Sequence, residues 1–399
     1  MRGSASPIPR YAFDAAISRL RSFPILTITG PRQSGKTTLS RLLAPHLPYL
    51  TLEDPDTRAY ASEDPRGFLR QVHEGAILDE VQRCPSLFSY LQGVVDAEKR
   101  VGQFILTGSS QFDLIQSINQ SLAGRTSVMT LLPFSLGELQ SSACAPSSVN
   151  ELLFRGMFPP VYDRPVDPCV WLQDYVSTYV ERDVRNILNI HDLSAFQRFV
   201  QLCAGRVGQL LNVSSLAADT GITRVTANAW LSVLEASHLV FLTSPWFTNP
   251  SKRLIKTPKL YFVDPGLAGW LIGIRRVEHL IAHPQRGALF ENWVMTELLK
   301  TQTNRGIKPR LHFLRDKEGH EIDAFVETAP NCFHAVEIKS GETVATDFFK
   351  GLDYWRDSLK GDSITPWVVY GGSTPQDRAR GRVLPWSDLG PMLSEINSA

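Results

Sequence analysis

Cysteine is scarce in this chain. There are five in 399 residues, at positions 84, 144, 169, 203 and 332, and no two form a C-x-x-C pair. That excludes a cysteine-rich zinc site and fits a reducing compartment. Long apolar runs are also missing, so no segment is built to span a bilayer. The first residues, MRGSASPIPRY, lack the apolar core of a secretory signal. The expectation is a cytoplasmic chain with no membrane partner. Net charge is nearly absent: 41 Lys and Arg against 40 Asp and Glu leave a formal +1. Bulk electrostatics therefore argue neither for nor against nucleic acid, and any basic patch must be local. The remaining composition, 43% apolar and 20% charged, is that of a globular protein. A chain this long exceeds one ordinary core, so two or three domains are expected.

The strongest local signal is Gly30-Pro31-Arg32-Gln33-Ser34-Gly35-Lys36-Thr37-Thr38, a G-x-x-x-x-G-K-T phosphate-binding loop. Its context fits: residues 24–29 (PILTIT) read as a buried parallel strand, and Leu39, Leu42 and Leu43 continue a helical face. Gly30 and Gly35 let the backbone curl so that N–H groups face phosphate oxygens at a helix N-terminus. Lys36 would reach the β- and γ-phosphates of ATP, and the Thr37 hydroxyl would hold Mg²⁺.

Further along, the strand-like run 75–78 ends in Asp79-Glu80. Taken alone, Asp-Glu after a strand is an ordinary helix cap. Placed after a phosphate loop, it makes Asp79 the residue orienting a metal-bound water and Glu80 the base for the attacking water. The strand 103–106 ends in Thr107, Gly108, Ser109 and Ser110. Thr107 and Ser109 are alternative sensors of the γ-phosphate, with helix capping by Ser109 or Ser110 as the other reading. Arg125 follows Gly124 and is either an arginine finger, for this site or a neighbour's, or a surface residue. An in-trans finger would make the chain a homo-oligomer.

The middle of the chain carries a Pro-containing linker over 141–150 and a broken or lid-like stretch over 151–164. Residues 169–190 read as a helix with Trp171, Tyr175 and Tyr179 on one face and the charged cluster Glu181, Arg182, Asp183 and Arg185 at its end. Residues 212–240 read as helix-turn-helix, with Gly221 in the turn and Thr223 capping the second helix. Residues 241–243 and 259–263 would form a wing. The second helix has a single basic residue, Arg224, and few groups suited to base edges. Lys252, Arg253, Lys256 and Lys259 near the wing suit phosphate contact. DNA binding and simple packing both remain readings of this segment.

In the C-terminal third, a helix over 287–302 is followed by strands over 311–315, 321–327 and 333–340, a helix over 346–359 and a strand over 366–370. The turn 316–320 (DKEGH) joins the first two strands. Asp323 lies on the second strand, and Glu337-Ile338-Lys339 on the third. Strand alternation puts Glu337 and Lys339 on one face. With Glu291 on the helix, these carboxylates could hold a second Mg²⁺, and Lys339 could position a hydroxide. A fold that has outlived its chemistry is the alternative. His312, His320 and His334 have no metal-ligand spacing in the sequence.

The runs GPRQSGKTT, LDEVQRCP, ILTGSS, LAGR and LLPFSLGEL resemble the AAA-type ATPases of bacteria and archaea that carry a further C-terminal domain. The similarity continues through GMFPPV, YVERDVRN, KTPKLYFVDPGLAGWLIG and FENWV. The resemblance implies an α/β chain: a parallel-sheet P-loop ATPase domain over 1–145, a helical lid and winged helix over 146–280, and an α/β restriction-endonuclease-like domain of the PD-(D/E)xK type over 281–399. The expected function is Mg²⁺-dependent ATP hydrolysis coupled to the C-terminal modules, with DNA as a candidate partner. The alternatives are an ATP-gated nuclease acting through Asp323, Glu337 and Lys339, and a non-catalytic nucleotide switch that binds a protein partner.

Overall fold

The computed structural model describes residues 7–109, 114, 118–180, 192–246, 256–359 and 361–398. Ser110, the cluster Glu181, Arg182, Asp183 and Arg185, and the wing residues Lys252 and Arg253 lie outside them. The chain divides into two units. One comprises residues 1–134 with 236–238 and 302–308, and the other comprises the remainder.

The first unit is built on five parallel strands: β1 (Ile25–Thr29), β2 (Tyr49–Thr51), β3 (Ala76–Asp79), β4 (Phe104–Gly108) and β5 (Thr126–Thr130), in the order β2-β3-β4-β1-β5. Strands β1, β3 and β4 are buried along their whole length. Their residues alternate between two apolar layers. Ile25, Ala76, Leu78, Phe104 and Leu106 join one layer with Phe68, Phe88 and Leu91, whereas Leu26, Ile28, Ile77 and Ile105 join the other with Ala16, Leu39 and Leu43. Helices on both faces explain why these strands read as continuous apolar runs rather than an apolar–polar alternation. Because the strands are parallel, all five end at one edge. The middle position of β4 brings its end between the phosphate loop after β1 and Asp79 at the end of β3.

In the second unit, the helix Val149–Arg155 ends where Gly156 adopts φ 66°, and a short helix Pro160–Asp163 follows. Phe158, Trp171, Tyr175 and Tyr179 form a chain of ring contacts with centroids 4.8 to 5.4 Å apart, which accounts for the aromatic face of the helix beginning at Pro168. The helices Val213–Thr220 and Arg224–Ala236 are separated by a turn in which Gly221 takes φ 82°. Strands β6 (Val240–Thr243) and β7 (Lys259–Phe262) pair antiparallel after them.

The helix Arg286–Thr303 then leads into a six-stranded mixed sheet: β8 (Leu311–Arg315), β9 (Glu321–Ala329), β10 (Cys332–Lys339), β11 (Ser363–Tyr370), β12 (Gln376–Arg378) and β13 (Gly381–Pro385). The order is β12-β13-β11-β10-β9-β8, with β8, β9 and β10 antiparallel and β10, β11 and β13 parallel. The helix Lys350–Ser358 connects the third and fourth strands. Strands β12 and β13 are short additions beyond the expected α-β-β-β-α-β order. Among the described residues, no helix is long and apolar enough to cross a membrane.

Candidate functional sites

The phosphate loop leaves β1 through Gly30 at φ 140°, a conformation L side chains rarely adopt. A Cβ there would lie 2.2 Å from the Leu131 carbonyl oxygen. The position therefore requires glycine for both backbone angle and space. Gln33 (φ 60°) and Gly35 (φ 95°) complete the curl into the helix Lys36–Leu43. Pro31 and Ser34 are buried, Arg32 is partly buried and lies 3.7 Å from Glu53, and Thr38 is exposed on the first helical turn. Arg10 clamps the loop from outside it, donating to the Ser34 carbonyl at 2.7 Å and the Leu132 carbonyl at 2.6 Å.

The Lys36 ammonium is buried and donates to the Gly30 and Pro31 carbonyls at 2.9 and 2.8 Å. Burial lowers its pKa to about 8 against the opposing pull of Glu80 and Asp79. Among the described residues its direct acceptors are neutral carbonyls, and phosphate oxygens would supply anionic ones.

Asp79 is the hub of the strand ends. Its Oδ2 accepts from the Thr37 hydroxyl at 3.3 Å and from the Tyr49 hydroxyl, and its Oδ1 accepts from the Thr107 hydroxyl. Glu80 sits next to it at φ 53°, a strained left-handed conformation of the kind that clusters at functional sites. Its Oε2 accepts from Ser109 Oγ at 3.1 Å and from the Gln82 side chain. The two polar candidates on β4 thus divide: Thr107 orients the Asp79 carboxylate and Ser109 the Glu80 carboxylate. Thr37 and Asp79 have the oxygen chemistry and proximity that Mg²⁺ with ATP needs, so the residues fit that group.

Arg125 is not brought to this site. It immediately precedes Thr126, which pairs with Ile25 at the amino-terminal edge of the sheet, whereas the loop follows Thr29 at the carboxyl edge. Five strand residues separate the two edges, roughly 16 Å. Arg125 instead makes two bonds to Asp96, at 2.6 and 2.8 Å. A finger acting on the chain's own site is therefore corrected to an ion pair at the opposite edge.

His238 was not legible as part of this unit. Its Nε2 lies 3.2 Å from Thr29 Oγ1, and burial, then Lys36, lowers its pKa to about 3, so the ring is neutral. Nothing local marks it, because it lies 209 residues from its partner.

A second polar cluster lies in the other unit. Asp323 and Glu337 are buried on adjacent antiparallel strands, and Asp323 Oδ2 accepts from the Ile338 amide at 2.8 Å. The Lys339 ammonium lies 2.6 Å from Glu337 Oε1 and 3.9 Å from Asp323 Oδ2. Glu337 Oε2 is buried and, among the described residues, has no hydrogen-bond partner. Burial, reinforced by Asp323 and opposed by Lys339, lifts the Glu337 pKa to about 8. An orphaned carboxylate oxygen beside a second carboxylate fits a divalent cation.

Glu291 belongs to the same cluster but is otherwise engaged. Its Oε1 accepts from Lys259 Nζ at 2.9 Å and Tyr261 Oη at 2.6 Å. Lys259 also reaches Glu321 at 2.5 Å, and Arg315 holds the other Glu321 oxygen at 2.6 Å. Phosphate contact by Lys259 is therefore corrected: its side chain is 3% exposed and committed to carboxylates. Glu321 precedes Asp323 by two residues and shares its strand face, so alternation alone could have flagged it. The turn residues Asp316, Glu318 and His320 bring ligand-type atoms within 4.8 Å of one another, a proximity the sequence spacing did not reveal. Asp316 Oδ2 already receives Tyr354 Oη at 2.8 Å and lies 2.9 Å from His320 Nδ1, while the His320 ring stacks on Tyr354.

Parallel topology, phosphate loop and adjoining Asp79-Glu80 define the first unit as a P-loop ATPase domain of the AAA type, and residues 22–140 match the family described as AAA domain. The chain as a whole belongs to the same family as Uncharacterized protein Rv2008c of Mycobacterium tuberculosis and Uncharacterized protein Mb2031c of Mycobacterium bovis. It is 31% identical to each over 328 residues, covering 81% of this chain and 72% of each relative. Residues 147–278 match Domain of unknown function (DUF8612), and residues 286–389 match Domain of unknown function (DUF4143). Among solved structures, the Walker-type ATPase PABY2304 of Pyrococcus abyssi is similar at 16% identity and a TM-score of 0.45, covering 65% of this chain and 94% of that one.

Proposed function

We propose that the chain binds ATP with Mg²⁺ at the phosphate loop and hydrolyses it, with Glu80 as the base. The observation that carries this reading is the grouping at one sheet edge. Asp79 is tied to Thr37 and Thr107, and Glu80 is held by Ser109 and Gln82. Loop amides and Lys36 would bind the phosphates, Thr37 and Asp79 would hold the metal, and Glu80 would take the proton of the attacking water. The metal's contribution, when bound, is to offset charge on the phosphate oxygens. A pure nucleotide switch has no need of a carboxylate held in strained backbone beside Asp79, so hydrolysis is the better reading.

The test is a pair of variants. Lys36→Ala should abolish ATP binding and turnover together. Glu80→Gln should keep ATP binding within a few-fold of wild type while turnover falls roughly 10²–10⁴-fold, the contribution of a positioned base. Turnover by Glu80→Gln at the wild-type rate would refute the role given to Glu80.

A second reading concerns Asp323, Glu337 and Lys339. The unpartnered Glu337 oxygen beside Asp323 favours a divalent cation there, with phosphodiester cleavage in nucleic acid as the matching reaction. On this reading nucleotide state governs when the C-terminal site acts. Incubation of the full chain with Mg²⁺ or Mn²⁺ and single- or double-stranded DNA or RNA tests it. Intact substrates throughout, with Asp323→Ala indistinguishable from wild type, would refute cleavage. For the helix Arg224–Ala236, the outward groups Arg224, Val225, Asn228 and Ser232 offer little to read base edges, so base-specific DNA recognition is not part of the proposal.

A further inference from the structure

The C-terminal cluster contains four carboxylates, Glu291, Glu321, Asp323 and Glu337, and two ammonium groups, Lys259 and Lys339. The two lysines differ in their freedom. Lys339 is the last residue of β10 and its side chain is 36% exposed, so its ammonium can move from Glu337 to solvent when another cation takes its place. Lys259 has no such exit. Its side chain is 3% exposed, lies over the Phe313 ring, and bridges Glu291 and Glu321. Tyr261 adds a second donor to the same Glu291 oxygen, and Arg315 occupies the remaining side of Glu321. One oxygen of Glu291 and both oxygens of Glu321 are thereby met from within the protein, while Glu337 Oε2 is buried with no hydrogen-bond partner among the described residues. A carboxylate whose charge is already offset by a fixed, buried ammonium gains less from a metal than one that keeps a buried oxygen without a donor.

We propose that Lys259 acts as a built-in cation that takes Glu291 and Glu321 out of metal binding and confines a divalent cation to Asp323 and Glu337. The cluster is then a one-metal site, with a fixed ammonium where a second metal ion would otherwise sit. Lys259 lies on β7, outside the α-β-β-β-α-β core that supplies the other charged groups, so the pairing strand is a working part of the site. This inference rests on the divalent-cation reading of Asp323 and Glu337.

The experiment is Mn²⁺ binding to the nucleotide-free protein, followed by electron paramagnetic resonance of free Mn²⁺. Asp323→Asn and Glu337→Gln should each weaken one binding event at least tenfold. Glu291→Gln should leave that event within threefold of wild type, because a glutamine can still accept from Lys259 and Tyr261. A loss greater than threefold in Glu291→Gln would overturn the inference while leaving a metal site standing. Equal Mn²⁺ binding by wild type, Asp323→Asn and Glu337→Gln would remove the metal reading itself, and the inference with it. Lys259→Met should gain an additional Mn²⁺ ion, and its melting temperature should rise with Mn²⁺ more than that of wild type. A folded Lys259→Met protein that binds Mn²⁺ as wild type does would also overturn it. If that variant fails to fold, the comparison of Glu291→Gln with Glu337→Gln still decides.

Discussion

Lys36→Met should separate stability from ATP binding. In the nucleotide-free protein, burial lowers the Lys36 pKa from 10.5 to about 8. For a base this means that the charged form is disfavoured by folding, at a cost of roughly 3 kcal/mol at neutral pH. Between pH 8 and 10.5 the unfolded chain holds a proton that the folded chain has released, so stability rises with pH across that window. Methionine fills a similar volume without the charge. It leaves the Gly30 and Pro31 carbonyls without their donor, a loss of roughly 1 kcal/mol each. The net expectation is a nucleotide-free variant more stable than wild type by about 1 kcal/mol near neutral pH, an advantage that fades as pH approaches 10.5. Wild type at an ATP concentration 100 times its Kd gains about 2.7 kcal/mol from the ligand, and the variant should gain none. Urea titrations with and without ATP and Mg²⁺, at several pH values, read both quantities. A nucleotide-free variant destabilised by more than about 2 kcal/mol, or one that ATP stabilises as it does wild type, would refute the account of Lys36 as an ammonium waiting for phosphate.

Three further outcomes are expected. Gly30→Ala should cost more than about 2 kcal/mol and lose ATP binding, because its Cβ meets the Leu131 carbonyl and its φ is unfavourable for alanine; an unchanged urea midpoint would contradict this. Thr107→Val should weaken Mg²⁺-dependent ATP binding by releasing Asp79, whereas Ser109→Ala should lower turnover with little change in ATP affinity by releasing Glu80; equal effects on both parameters would remove the division of labour. Because the folded pKa of Glu337 is raised from 4.5 to about 8, the folded chain holds a proton there that the unfolded chain loses, and stability should fall as pH rises across that window. Glu337→Gln should flatten that decline in a melting series, and a slope identical to wild type would assign it elsewhere.

The phosphate loop was legible because its chemistry is local. Gly30, Gly35, Lys36 and Thr37 act through one turn of backbone, and a buried strand and a helix must flank them. Asp79 and Glu80 needed only one added inference, that a parallel strand ends where its neighbour's loop begins. The α-β-β-β-α-β order, and with it the shared face of Glu337 and Lys339, also followed from periodicity, because side-chain alternation is a property of one strand. What the sequence could not supply was pairing across long separations. Whether Thr107 or Ser109 faces Asp79 depends on the register of three strands. Arg125 reads in the sequence as either a finger or a surface residue, because its distance from the loop is set by which sheet edge it occupies. Lys259 looked like a surface base among other bases, and only the packing of β7 against the helix Arg286–Thr303 and β9 made it a buried counter-ion. Sequence alone thus determined which groups could do chemistry within a turn or a strand. The tertiary structure decided which charges meet, because burial and opposite charge act through space, and residues far apart in the chain become neighbours only when the sheets form.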